Sequence, residues 1–410
     1  MSTRIVDSGR LAESSTSVMR MPMWIAAGQV GVIAAVFIGF GTNQPVRPTF
    51  TIGILAAATL GTILLGPVGG VRRILLSVPT VALMAWWFAS ILWTYNTFGW
   101  RRETQLNAAI VASLIVIGSL IPLRSLQRAL VTACYLAIGY SVFYTIVHFS
   151  FATMHPDGTA GWRAGFGHKN GLGPFMVFAL LVLLSFERPR PLRHVAVVVS
   201  LAFVLLSQST SAFAAGLVLA ALAVGLTHLS HEDKRWRALT ITVGSVITVS
   251  MVWLIATFLP QLLDLRGKDT TLSRRTDIWE RVWQAITERP WTGYGIGGVW
   301  IDQGAEPTRT MMRGLGFTVF HSHSGMLEVL LQIGIVGLLL YSWLLLSTIV
   351  VGMRVLFVNQ TLGRFVLLYI LLMMILAITE VTVFTIWLGL LAMLNVVAAR
   401  ELRTRVLEHR

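Results

Sequence analysis

The sequence predicts an all-α fold, a polytopic membrane helical bundle of about twelve transmembrane helices with one large extracytoplasmic loop containing an amphipathic helix. Three observations predict it. Apolar residues make up 55% of the 410 and charged ones only 12%, where soluble domains carry about 25% charged. Apolar runs near the length of a bilayer crossing recur along the whole chain. Basic residues gather in alternate short links between those runs, as expected of cytoplasmic links.

Taken in order, candidate runs begin near Trp24, Thr49, Ile74, Leu106, Arg128, Lys169, Val195, Ser211, Ala238, Gly325, Phe365 and Val383. Two longer stretches, Val195 to His228 and Phe365 to Ala399, are each too long for one crossing. They divide at Ser207 to Ser211 and at Thr379 to Thr382, where polar side chains can satisfy backbone groups at a turn. With the N-terminus inside, one set of links holds 19 of the 32 basic residues. Both termini are therefore expected in the cytoplasm and the loop of residues 261–322 outside. The run after Met1 to Arg20 has no convincing cleavage site, so the first span is expected to remain as an anchor. Residues 1–410 read as a single integral membrane domain, expected in the bacterial inner (cytoplasmic) membrane.

A net charge of +14 could suit a nucleic-acid binder, but the basic residues form no patch or tail, so no nucleic acid is expected. The single cysteine, Cys134, lies in an apolar stretch, which rules out a disulfide framework and a cysteine-based metal site.

Within the long loop, Ser273 is a plausible N-cap, and Ile278, Trp279, Val282, Trp283 and Ile286 form an apolar stripe. Pro290 ends this surface helix. Arg274, Arg275, Asp277, Arg281 and Gln284 are assigned to its opposite face, with Asp277 and Arg281 as a supporting pair. The following segment, Trp291 to Gly298, has the glycines of a phosphate turn but no preceding strand, and reads as a flexible turn.

Ionisable groups at the edges of spans are costly and mark candidate sites. Here they collect on the outer side: Arg163 and His168 before the sixth span, the serine turn 207–211, Arg274 and Arg275, His321 and His323, and Glu380. Plainer roles compete for each. Lys169 can snorkel, Ser207 and Ser209 can form a turn, the two adjacent arginines can attract anionic lipid, and Glu380 can sit in a structural ion pair. Collected in one place, guanidinium groups suit phosphate oxygens and an imidazole can take a proton near neutral pH. A phosphorylated leaving group and a hydroxyl nucleophile fit that set. On the outer face, where nucleotide sugars are absent, the donor would be a glycan on a polyprenyl diphosphate.

Several segments carry a resemblance. His323-Ser324, nine residues, Gly334 and then Ile335, Val336 and Gly337 resemble the signature of O-antigen ligases and related polysaccharide polymerases. Gly165-Phe-Gly-His-Lys-Asn170 is similar to a motif of exopolysaccharide polymerase-like members, and Ser273 to Trp279 with Glu288 to Gly295 resembles the start of the family's large periplasmic loop. The resemblance implies a membrane glycosyltransferase using an undecaprenyl-diphosphate-linked glycan, with inversion at the anomeric carbon and no cofactor. By position, His323 would be the base on the acceptor hydroxyl, and Arg163 with Arg274 or Arg275 would hold the diphosphate. His168, Asn170, His321 and Glu380 would be substrate contacts. Polymerisation of a cell-surface or exopolysaccharide is the first reading, an O-antigen ligase attaching the glycan to a lipid core or protein the second, and a transporter of a lipid or anionic substrate the third. Membrane lipid and other polysaccharide export or assembly proteins are the expected partners. No metal is expected, because His321 and His323 lack a nearby carboxylate cluster.

Overall fold

The computed structural model describes residues 21–40, 48–67, 72, 74–153, 160–229, 275–302, 304–313, 315 and 319–408. Among them the chain is helical, with no strand: α1 (Met23–Gly39), α2 (Pro48–Leu64), α3 (Val78–Ala89), α4 (Thr97–Leu120), α5 (Leu123–Val147), α6 (Phe149–Thr153), α7 (Lys169–Phe186), α8 (Pro191–Ser207), α9 (Thr210–Leu229), α10 (Arg275–Glu288), α11 (Thr308–Met312), α12 (Gly325–Leu356), α13 (Gln360–Ala377) and α14 (Thr385–Glu408). Helices α4, α5, α7, α12, α13 and α14 are long and apolar enough to cross a membrane, and α1, α2, α3, α8 and α9 are shorter apolar helices. The protein is thus a polytopic helical membrane protein. The expected run near Ala238 lies outside the described residues, as do Ser273 and Arg274.

Both predicted divisions are present. Chain reversal after α8 is made by Gln208 at φ +50°, and α13 and α14 are separated by residues 378–384. Helix starts differ from the apolar runs where a polar first turn is added. Helix α4 begins at Thr97, ahead of the run at Leu106, because the Asn96 side chain accepts the Gly99 N–H at 2.8 Å and caps it.

The core is organised around α14, whose Leu388, Leu391, Ala392 and Met393 are fully buried. Glycines allow its closest contacts with α4: a Cβ on Gly389 would meet Ile110 and Leu114, and one on Gly118 would meet Met393. Asn395 donates to Ser347 Oγ and Thr348 Oγ1, both at 3.1 Å, tying α14 to α12. Phe40, Phe175, Phe178, Tyr369 and Trp387 interlock between α1, α7, α13 and α14. At one end of the bundle, Arg400 donates to the carbonyls of Gly118, Ser119 and Ile121, supplying a cation to the C-terminus of α4.

Helix α12 is broken at Gly334, which has φ +66° and ψ −171°. The segment after α10 fills the break: Tyr294 N–H and Gly295 N–H donate to Leu331 and Gln332 carbonyls, while Ile335 N–H and Val336 N–H donate to Pro290 and Trp291 carbonyls. A Cβ at Gly334 would collide with the Trp291 carbonyl, so glycine is needed here both for its torsions and for the close approach. Residues 293–300 are buried. The Trp291 to Gly298 segment is therefore a packed wedge rather than the flexible turn expected, because its N–H groups replace the bonds that α12 lacks.

Candidate functional site

The end of the bundle opposite Arg400 gathers residues from links far apart in sequence. Helix α10 follows the expected surface helix, with two changes in how its faces are used. Ile278, Val282, Ala285 and Ile286 are buried, but Trp283 is 54% exposed, since the packed stripe passes through positions 278, 282 and 285–286 and leaves residue 283 at its margin. Arg275, assigned to the opposite face, lies three and four residues before Ile278 and Trp279, and so shares their side of the helix. Asp277 and Arg281 are both exposed and form no ion pair with each other among the described contacts.

Arg275 Nη2 donates to Glu380 Oε1 at 2.9 Å. The same oxygen accepts from Asn170 Nδ2 at 2.7 Å. Three links thus meet on one carboxylate that is only 7% exposed. Burial pushes the Glu380 carboxyl up to about 7, against the opposing pull of Arg275 and Lys169.

His323 is half-buried just before α12 and adopts φ +53°, a left-handed conformation that is uncommon for a residue with a Cβ and is found often at functional sites. Its N–H donates to His321 Nδ1 at 3.2 Å, and the two rings lie 4.0 Å apart. Burial, then His321, Arg275 and His168, hold the His323 imidazole down to about 2. Burial and Arg275 also lower His321, while Glu328 raises it. Both shifts favour neutral rings, and among the described residues His323 Nδ1 is buried without a hydrogen-bond partner.

His168 caps α7, its Nδ1 accepting the Asn170 N–H at 3.2 Å. Arg163 is 6% exposed. Its Nε donates to the Phe151 carbonyl at 2.7 Å, and its guanidinium carbon lies 3.5 Å from the centroid of the Phe151 ring. The link that carries it is fixed from two sides: Trp162 N–H donates to the Leu206 carbonyl, and a Cβ at Gly161 would strike the Ser207 carbonyl. The serines of that turn bond locally, Ser207 Oγ to the Val204 carbonyl and Ser209 Oγ to Ser211 Oγ, as turn-formers do.

The structure therefore brings together His168, Asn170, Arg275, His321, His323 and Glu380. Arg163 shares their link with α7 but is held against α6, and it is not among the charges that act on His323. Arg274 lies outside the described residues. Sequence reasoning missed the groups that hold the histidine turn: Trp279 Nε1 donates to the Ser322 carbonyl at 2.9 Å, and Glu328 accepts the Ser322 N–H at 2.8 Å. An acid five residues after His323, within an apolar span, was the signal that could have found Glu328.

The chain is thus a multi-pass membrane protein with histidines, an arginine and a buried carboxylate gathered at one end of its helical bundle. Comparison with known proteins shows two similarities. Residues 195–342 match the family model described as O-antigen ligase. The chain is also 25% identical over 284 residues to the exopolysaccharide production protein ExoQ of Rhizobium meliloti (strain 1021), covering 64% of this chain and 63% of ExoQ. It spans less than two thirds of that relative's length. Over these parts of its length the chain is thus similar to the O-antigen ligase family and to an exopolysaccharide production protein. The matched region contains Arg275, His321, His323 and Gly334, whereas Arg163, His168, Asn170 and Glu380 join the site from outside it.

Proposed function

We propose that the chain is an inverting, metal-independent membrane glycosyltransferase of the bacterial inner membrane. It transfers a glycan from an undecaprenyl-diphosphate donor to an acceptor hydroxyl on the extracytoplasmic face, and so polymerises a cell-surface or exopolysaccharide; both termini are cytoplasmic. The observation that carries this reading is the meeting of His323, His321, His168 and Arg275 at one end of the bundle, with the two histidines and the arginine inside the region matched to the O-antigen ligase family.

In this scheme the acceptor oxygen attacks the anomeric carbon as the bond from that carbon to the diphosphate oxygen breaks. His323 takes the hydroxyl proton, and undecaprenyl diphosphate leaves with the bonding electrons. Arg163, with either Arg275 or Arg274, stabilises the charge that develops on the leaving group. An imidazole held at about 2 is a poor base in the empty site. A diphosphate beside Arg275 offsets the positive charge that helps to depress it, so donor binding itself raises the basicity of His323. Glu380 complements Arg275 before the donor arrives, and Asn170 and His168 face the sugar or phosphate.

The test is incubation of the purified protein with an undecaprenyl-diphosphate oligosaccharide, following release of undecaprenyl diphosphate. Turnover in EDTA, near-complete loss in His323→Ala and strong reduction in Arg163→Ala are expected. Activity abolished by EDTA would refute the metal-free scheme, and transport of the lipid unaffected by His323→Ala would favour a carrier. The match to the O-antigen ligase family supports ligation as a second reading. Gene deletion separates the two: polymerase loss leaves one-repeat product, whereas ligase loss leaves unattached lipid-linked polymer.

A further inference from the structure

Glu328 lies in the first turn of α12 and is 1% exposed. It forms no ion pair among the described residues. Neutral donors satisfy both of its oxygens: Oε1 accepts from Trp300 Nε1 at 2.8 Å and Gln332 Nε2 at 2.6 Å, and Oε2 accepts the Ser322 N–H at 2.8 Å. A carboxylate buried among neutral donors is costly, and here its two oxygens serve three donors from separate segments.

The donors show what the carboxylate holds. Trp300 belongs to the loop beyond α10, Gln332 to the segment of α12 just before its break, and Ser322 to the histidine turn. The Ser322 backbone is held on both sides, its N–H by Glu328 and its carbonyl by Trp279. The Ser322 hydroxyl donates to the Ser324 carbonyl at 2.8 Å, spanning His323. His323 thus leaves a fixed peptide at its left-handed torsion, with its own N–H on His321 Nδ1. Among the described residues no hydrogen bond to His323 Nδ1 orients the ring, which leaves backbone placement to do what a partner on that nitrogen does in other histidine bases.

We infer that Glu328 is the positioning residue for His323, acting through the Ser322 peptide to aim the imidazole at the acceptor hydroxyl. The inference rests on the glycosyl-transfer reading. An amide cannot replace the carboxylate, because glutamine has one accepting oxygen for three donors and would turn its own N–H groups toward at least one of them.

The test uses full-length protein in nanodiscs, wild-type, Glu328→Gln and Glu328→Asp, with His323→Ala as the inactive control. Two readouts are followed: the rate at which diethyl pyrocarbonate modifies His323, mapped by peptide mass, and steady-state kinetics with an undecaprenyl-diphosphate oligosaccharide. A base displaced by about 1 Å loses on the order of 100-fold in rate. Glu328→Gln is therefore expected to lower kcat by about 10- to 100-fold with KM nearly unchanged, and to alter the His323 modification rate several-fold. Glu328→Asp, which keeps the charge and both oxygens, is expected to fall between, and it carries the test if the glutamine variant does not fold. A folded variant with wild-type kcat and wild-type His323 reactivity overturns the inference, as does a loss confined to KM. Silent wild-type protein would instead overturn the transfer reading, and this inference with it.

Discussion

Replacing Glu380 by glutamine isolates the charge at the meeting point of three links. The carboxyl sits at about 7 rather than 4.5, mainly because burial disfavours its ionised form and Arg275 and Lys169 only partly offset this. A rise of that size corresponds to roughly 3 kcal/mol between the protonation states. The sign follows from proton binding: the folded protein holds this proton more tightly than the unfolded chain, so stability present below pH 4.5 is lost as pH rises through about 7. Glutamine keeps an oxygen for Arg275 and Asn170 and has no proton to lose. Infrared difference spectra of the wild-type protein should lose a protonated-carboxyl band with a midpoint near 7, and Glu380→Gln should lack that band. Thermal unfolding in detergent should show the wild-type protein losing stability between pH 5 and 8 relative to the variant, by up to roughly 3 kcal/mol. A Glu380 band titrating near pH 4, or the same pH slope in both proteins, would refute the reasoning.

Other substitutions probe the frame around the site. Gly334→Ala forces a side chain into a left-handed torsion and against the Trp291 carbonyl, and should cost about 1–3 kcal/mol in the thermal unfolding of solubilised protein. Trp279→Phe removes the bond to the Ser322 carbonyl while keeping an aromatic, though smaller, side chain, and should cost about 1 kcal/mol of stability, with a fall in kcat larger than that loss explains. Arg275→Ala removes the cation bonded to Glu380 and should raise the apparent pKa of the Glu380 infrared band while weakening donor binding, read as a higher KM. The opposite shift of that band would show that Arg275 does not stabilise the carboxylate.

Much of the architecture was legible because it rests on local periodicity and composition. The reversal at Gln208 and the division of the last long stretch follow from polar residues interrupting apolar runs, and α10 follows from apolar residues repeating at helical spacing. What was not legible depends on partners distant in the chain. Trp283 satisfies the apolar pattern of α10 yet faces outward, because only the neighbours of Ile278, Val282 and Ile286 decide which part of the stripe is covered. Arg275 was assigned to the polar face on the strength of its charge, and the buried Glu380 more than one hundred residues away draws it to the other. The wedge at residues 293–300 could not be read from its glycines alone, since its backbone bonds exist only where α12 opens at Gly334. Of the clustered residues, the histidines, Arg275 and Glu380 were picked out as ionisable groups at span ends, and Asn170 by the motif resemblance. Glu328 was not, because a single acid inside a span gives no sign of what it holds.

The central claim is that links separated along the chain form one pocket for a lipid-linked diphosphate. Photo-crosslinking tests it directly, with undecaprenyl diphosphate carrying a diazirine beside the phosphates and the labelled peptides mapped by mass spectrometry. The account predicts labels within residues 161–170, at the start of α10 and at residues 321–324, displaced by unlabelled lipid. Labels confined to the end of the bundle that carries Arg400, or spread evenly along the apolar helices without displacement, would contradict it.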